Sequence, residues 1–330
     1  MSDTLTSALR RARPGRRLHG ISAVLLPFTP DGAIDWRSLE QLLANTRAAG
    51  LDVAVNMDTG FGDLLTPPQR EQVLDCTRAV VGTTFYAGAY PDQSAADPVA
   101  SYHASIAAIL AREAIPVIVQ WRGMHALAAA EKAALYRRIC ALAERAVGFE
   151  LGPMFAPHGE IWDDATFERI VEIPQLIGAK HSSLDRATEL GRLAARDRLR
   201  PDFRVYTGND LAIDMVLYGS DYLLGLSAFA PEEFAGRDRA LADDDTSFLS
   251  RNDALQHLGN VGFRAPVPAY KHSAAMFLHL TGKLGSDSIH PRAARRPQSD
   301  RILLFDCAVR LGLVGDVERT LAERVEPFLS

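Results

Sequence analysis

The pattern that most limits the fold of this chain is an alternation of short apolar runs with helical segments, beginning at His19. Eight runs read as strands: 20–26, closed by Pro27, then 52–57, 83–88, 115–121, 147–155, 174–180, 203–207 and 221–226. Continuous apolar runs of this length are the signature of strands buried on both faces of a parallel sheet. The segments between them carry helix signals. Asp35 stands as an N-cap before Leu39, Leu42 and Leu43, and Gly50 follows the last periodic residue. Thr66-Pro67-Pro68-Gln69 is a capping box with proline at the first helical position. Asp97-Pro98 opens a further helix, and an alanine-rich one runs to about Arg145. Strand–helix alternation implies a parallel sheet with right-handed crossovers. Eight such units in about 210 residues predict an α/β fold, a closed (β/α)₈ TIM barrel. An open doubly wound sheet would carry a glycine-rich phosphate loop after an early strand, and no GxGxxG occurs there. The fifth run is weak, because Gly148, Gly152 and Pro153 interrupt it.

After Pro231 the pattern is helical only, with amphipathic stretches near 268–282 and 300–312. The expected organisation is a basic, solvated and disordered arm over 1–17 (Arg10, Arg11, Arg13, Arg16, Arg17), a barrel over 18–231, and a helical region over 232–330 packed on it. A net charge of −5 gives no reason to expect nucleic acid or a membrane as partner. Cys76, Cys140 and Cys307 lie far apart and are expected as free thiols in a reducing compartment. No apolar run approaches the ~20 residues that span a bilayer, and no secretory signal is recognised, so a cytoplasmic protein is expected.

Chemistry concentrates on Lys180. Four small or apolar residues, Leu176 to Ala179 with Gly178 among them, lead into it, and Ser182-Ser183 follow. An ammonium on a buried strand costs free energy unless paired or deprotonated, and the neutral amine is the form that attacks a carbonyl. The alternative is a strand-end lysine that reaches solvent. In a barrel the site lies at the C-terminal strand ends. These collect Asp58-Thr59-Gly60, Tyr90, Trp121-Arg122, Met154-Phe155, Lys180-His181, Thr207-Gly208-Asn209-Asp210 and Gly225-Leu226-Ser227. Singly, each has a plainer reading as turn, cap or packing residue. His181 is expected on the opposite face from Lys180. The strand ends offer no paired His and carboxylate at ligand spacing, so no metal is expected.

These motifs resemble the dihydrodipicolinate synthase / N-acetylneuraminate lyase family of Schiff-base aldolases, over about 18–314. The carriers are Gly178-Ala179-Lys180, Met57-Asp58-Thr59-Gly60-Phe61 as an altered strand-2 signature, Leu65-Thr66-Pro67, Gly208-Asn209-Asp210, Gly225-Leu226-Ser227 and Pro266-Val267-Pro268-Ala269-Tyr270-Lys271. The resemblance implies a lyase acting through a Lys180 imine: aldol cleavage or condensation, or dehydration, of a small oxo compound. It implies Lys180 and Thr59 as catalytic residues, and Asp58, Gly60, Met154, Thr207, Gly208, Asn209 and Leu226 around the substrate. It further implies no cofactor, and a homodimer or homotetramer.

Two departures stand out. Asp58 replaces a threonine that binds the substrate carboxylate and relays a proton in the family. Met154 aligns with a proton-transferring tyrosine. The expected substrate is therefore a hydroxylated or less acidic carbonyl compound rather than plain pyruvate, with Asp58 facing it as a hydrogen-bond acceptor and held by a donor such as Arg122. Substitute proton carriers are Asp58, Tyr90, Tyr206, His181 or His158. The alternative is a catalytically lapsed barrel that binds a ligand or partner.

Overall fold

The structure, a computed structural model, describes residues 10–329. Eight strands run in chain order: β1 Gly20–Ala23, β2 Asp52–Val55, β3 Tyr86–Ala89, β4 Ile115–Ile118, β5 Ala146–Leu151, β6 Leu176–Ser182, β7 Arg204–Thr207 and β8 Asp221–Leu224. Each pairs in parallel with the next, and β8 pairs with β1. This is the (β/α)₈ barrel that the alternation predicts. The weak fifth run forms a strand with all six residues buried. Its interrupting glycine is a packing requirement, since a Cβ on Gly148 would sit 3.0 Å from the Trp162 ring.

The helices form where the capping residues place them. Helix α1 (Trp36–Ala49) starts with the Asp35 carboxylate accepting from the Ser38 backbone N–H, and it stops at Gly50 with φ of 95°. Helix α2 (Pro67–Val81) opens with Thr66 and Gln69 capping each other's backbone. Then come α3 (Val99–Leu110), α4 (Ala129–Ile139), α5 (Asp164–Val171) and α6 (Arg186–Leu199). The crossover from β7 to β8 carries a 3₁₀ segment, Ile213–Tyr218, in place of an α-helix. Helix α7 (Pro231–Ala242) completes the ring, and α8 (Ser247–Gly262), α9 (Tyr270–Leu280), α10 (Asp300–Arg310) and α11 (Val317–Arg324) follow.

Side chains of one parity, among them Ile21, Ala54, Val117, Val147, Phe149, Tyr206 and Leu223, fill the barrel interior. Side chains of the other parity pack beneath the helices in a second, larger apolar layer. Every residue of α9 except His279 is buried, so this helix is the core of the C-terminal region. Among the described residues, no helix is long and apolar enough to cross a membrane. The three cysteines are free.

Residues 1–9 of the expected basic arm lie outside the described ones; over 10–17 most residues, among them Arg10, Arg13 and Arg17, are exposed, yet the segment is tied to the barrel at several points. Arg13 N–H donates to Leu217 O (3.2 Å) and Gly15 N–H to Leu241 O (2.9 Å). The Arg16 guanidinium donates to Val216 O, Ser220 O and Asp221, and Arg11 pairs with Asp197 at 2.8 Å. The positive run is held because the foot of the barrel presents backbone carbonyls and the carboxylates of Asp197 and Asp221.

Candidate active site

Lys180 lies near the C-terminal end of β6, opposite Phe149 on β5 and Tyr206 on β7. Both partners belong to the barrel interior, which fixes the side of the sheet that the lysine faces. Gly208, just past β7, leaves it room: a Cβ there would stand 2.7 Å from Lys180 Cε. The Nζ sits 4.8 Å from the centroid of the Phe149 ring. Among the described residues, no hydrogen bond or ion pair holds it. Burial pushes the lysine below its ordinary pKa, and it does so against the opposing charges of Asp210 and Asp58.

Asp210 is the second perturbed group. Its carboxylate accepts from Leu226 N–H at 2.7 Å, and Gly225 N–H also favours its charged form. Burial nevertheless raises it to about 7, although Lys180 pulls it down. A buried amine shifted down and a buried carboxyl shifted up move towards each other's range, which suits exchange of a proton between them.

The third group joins two distant parts of the chain. Asp58 opens a 3₁₀ turn after β2 (Asp58–Gly60). Its Oδ1 accepts from Lys271 Nζ at 2.7 Å, and its Oδ2 from the Tyr270 hydroxyl at 2.8 Å. Tyr270 Oη also lies 2.9 Å from Thr59 Oγ1. The Tyr270 ring stacks on Phe263 at 4.3 Å, with Phe155 edge-on at 6.4 Å. Gly225 admits this packing, for a Cβ there would meet Thr59 Oγ1 and the Tyr270 ring, each at 3.1 Å. The site is nearly closed: Lys180 is 7% exposed, Thr59 1% and Asp210 4%.

Several sequence expectations change here. The donors on Asp58 are Lys271 and Tyr270, not Arg122. The β5 residue beside Lys180 is Phe149, whereas Met154 is 42% exposed in the loop beyond the strand. Thr207 faces the helix layer, donating to Glu189 Oε2 at 3.0 Å, because it is one residue out of step with the interior-facing Tyr206. Tyr206 is no proton carrier for the site, since its hydroxyl meets His19 Nδ1 at 3.2 Å on the far side. Tyr90 lies under the Arg70 guanidinium and lines a cleft of about 540 Å³ with Asn56, Gln93 and Ser105. His158 is half-buried, and burial lowers its pKa. Asn209 is buried, its Oδ1 accepting from Leu211 N–H at 3.2 Å. Gly60 and Leu226 are buried in the two 3₁₀ turns that follow β2 and β8.

His181 turns outward as its parity requires. It meets Glu150 at 2.7 Å and Ser183 at 2.6 Å, and Arg192 pairs with the same Glu150 at 3.0 Å. Burial opposes the charged imidazole, but Glu150 and Glu189 outweigh it and raise its pKa. Glu189 accepts from Thr207 and Ser220, yet burial raises it to about 7. This network ties β5, β6 and β7 together behind Lys180.

Solved structures share the fold. Dihydrodipicolinate synthase from Acinetobacter baumannii, complexed with pyruvate, has a TM-score of 0.74 at 20% identity, covering 91% of this chain and all of that one. A prophage protein of the dihydrodipicolinic acid synthase family from E. coli K12, also complexed with pyruvate, has a TM-score of 0.77 at 17% identity, covering 90% and 99%. The Cyanidioschyzon merolae enzyme with lysine bound has 0.74 at 18%, covering 91% and 100%. At these identities the likeness is one of fold. Comparison with curated proteins gives no match. Residues 19–330 match the family described as "Protein of unknown function (DUF993)", and the chain belongs to that family.

Proposed function

We propose that the protein is a lyase acting through an imine on Lys180. The neutral amine attacks the carbonyl carbon of a small oxo compound, the carbinolamine loses water, and the iminium draws electrons from the neighbouring bond. Cleavage or formation of a carbon–carbon bond, or loss of a proton and then of hydroxide as water, follows. Asp210 exchanges the proton that Lys180 must shed before it attacks. The observation that carries this reading is a buried, unpaired, pKa-depressed lysine at a strand end, with a carboxyl near 7 acting on it. The pyruvate held by two proteins of the same fold supports a small oxo compound as the ligand class. Thr59 suits a hydroxylated one: with Tyr270 2.9 Å away to take its proton, its oxygen is left to accept a hydrogen bond. A cytoplasmic homodimer or homotetramer completes the proposal. The lapsed-barrel alternative draws on Phe149, which places no exchangeable proton beside Lys180.

Borohydride trapping with pyruvate, hydroxypyruvate and dihydroxyacetone, followed by peptide mapping, separates the two. The expected label falls on Lys180 and not on Lys271, and the dependence of trapping on pH near 7 disappears in Asp210→Asn. No label on Lys180 with any of the three removes the lyase reading and leaves the lapsed barrel.

A further inference from the structure

The hydrogen bonds around Tyr270 have a fixed direction. An ionised Asp58 paired with Lys271 can only accept, so the Tyr270 hydroxyl donates to it. The one proton of Tyr270 is then committed. At 2.9 Å the contact with Thr59 Oγ1 requires Thr59 to donate and Tyr270 to accept. The chain therefore reads Thr59 O–H to Tyr270 O–H to the Asp58 carboxylate, with Lys271 closing its far end. Thr59 Oγ1 keeps its lone pairs free to accept, and it packs on Gly225, whose N–H also faces Asp210. We propose that Thr59, Tyr270 and Asp58 form a proton relay, supplied in part by α9, that takes the substrate's proton while Lys180 holds the substrate as an imine.

The inference rests on the Lys180 imine. The step balances within the site. The C–H bond next to the iminium breaks, and its electron pair moves in to form the enamine, cancelling the charge on nitrogen. The proton goes to Thr59 Oγ1, the Thr59 proton goes to Tyr270 Oη, and the Tyr270 proton goes to Asp58. Reversal of the three transfers returns a proton to carbon. Asp58 is the terminal base, and Thr59 is the member that touches substrate. Tyr270 acts through Thr59, and Lys271 positions Asp58. This division leaves Asp210 to the proton of the lysine, and it gives the chain a proton carrier that neither Phe149 nor Met154 can provide. Burial keeps the Tyr270 hydroxyl above its ordinary pKa, so it serves as a conductor of protons and not as a resting phenolate.

The test separates imine formation from proton transfer. Pyruvate and dihydroxyacetone are incubated with the full chain in D₂O, and exchange of the hydrogens next to the carbonyl is followed by proton NMR, in parallel with borohydride trapping. Tyr270→Phe removes one hydroxyl and keeps the ring stacked on Phe263. It is expected to slow exchange about a hundredfold or more, the range ascribed to general acid–base catalysis, while trapping falls less than about threefold. Thr59→Val should show the same split, and the double variant should be no slower than the worse single one, because a broken chain cannot be broken twice. Exchange at the wild-type rate in Tyr270→Phe, or costs that multiply in the double variant, overturns the relay and leaves the lyase reading standing. Absence of trapping on Lys180 in the wild-type protein overturns the lyase reading, and the relay with it.

Discussion

Replacing Asp58 by threonine should destabilise the protein chiefly through Lys271. The ammonium is 2.7 Å from Asp58 Oδ1, and the two side chains are only 8% and 14% exposed. At an effective dielectric constant near 20, the gross attraction at that distance is about 6 kcal/mol. Much of it offsets the cost of taking both charges out of water. Removing one partner leaves that cost unopposed, typically about 3–5 kcal/mol for a buried pair. Asp58→Thr alone should therefore lose about 3–5 kcal/mol. Lys271→Met should lose less, on the order of 2 kcal/mol, because Asp58 keeps its bond from Tyr270 and some water. The double variant replaces an ion pair by uncharged side chains and should fall within about 1 kcal/mol of the wild type. Urea unfolding of the four proteins closes the cycle, with a coupling of about 4 kcal/mol or more. Thermal scans should show Asp58→Thr melting several degrees below the double variant. Single costs that simply add in the double variant would refute the reasoning, since the two charges would then be stabilised independently.

Glu189→Gln should alter stability in a pH-dependent way. The native state holds the Glu189 proton up to about 7, whereas a free glutamate releases it near 4.5. The wild type thus loses stability as pH rises through that window, by on the order of 3 kcal/mol in all. The variant should match the wild type near pH 4 and exceed it at pH 8; a difference independent of pH counts against the assignment. Lys180→Met should abolish trapping and raise stability at pH 7, since it removes a buried amine whose pKa burial lowers. The unfolded chain keeps the lysine proton up to about 10.5, so the advantage should fade as pH rises towards that value. A variant no more stable than the wild type at pH 7 would mean that Lys180 carries no desolvation penalty.

The barrel was legible because parallel strands buried on both faces leave uninterrupted apolar runs, and because Asp35, Gly50 and Thr66 mark helix ends by local chemistry alone. Register was less legible. Nearness to strand ends puts Thr207 and Met154 in the site, but facing depends on parity relative to Lys180. Pairing of Lys180 with Tyr206 turns Thr207 outward, and pairing with Phe149 puts the β5 neighbour before Met154. Asp210 stands in the sequence at a strand end and in a family motif, but its partnership with Lys180 is not legible there, because a raised pKa follows from burial, which no spacing reveals. Tyr270 and Lys271 were visible only as the entry to a helix. They stand 212 and 213 residues beyond Asp58, so only the closed fold brings them together.

That separation also sets the order in which the site is completed during synthesis. Asp58 leaves the ribosome 213 residues before Lys271. At about 5–20 residues per second, the interval is roughly 10–40 s. Throughout it the first βα units hold a carboxylate without its cation, and the barrel mouth lacks the Tyr270 ring and the helix that seats it. A growing chain can pair its strands early, but its chemistry is assembled last.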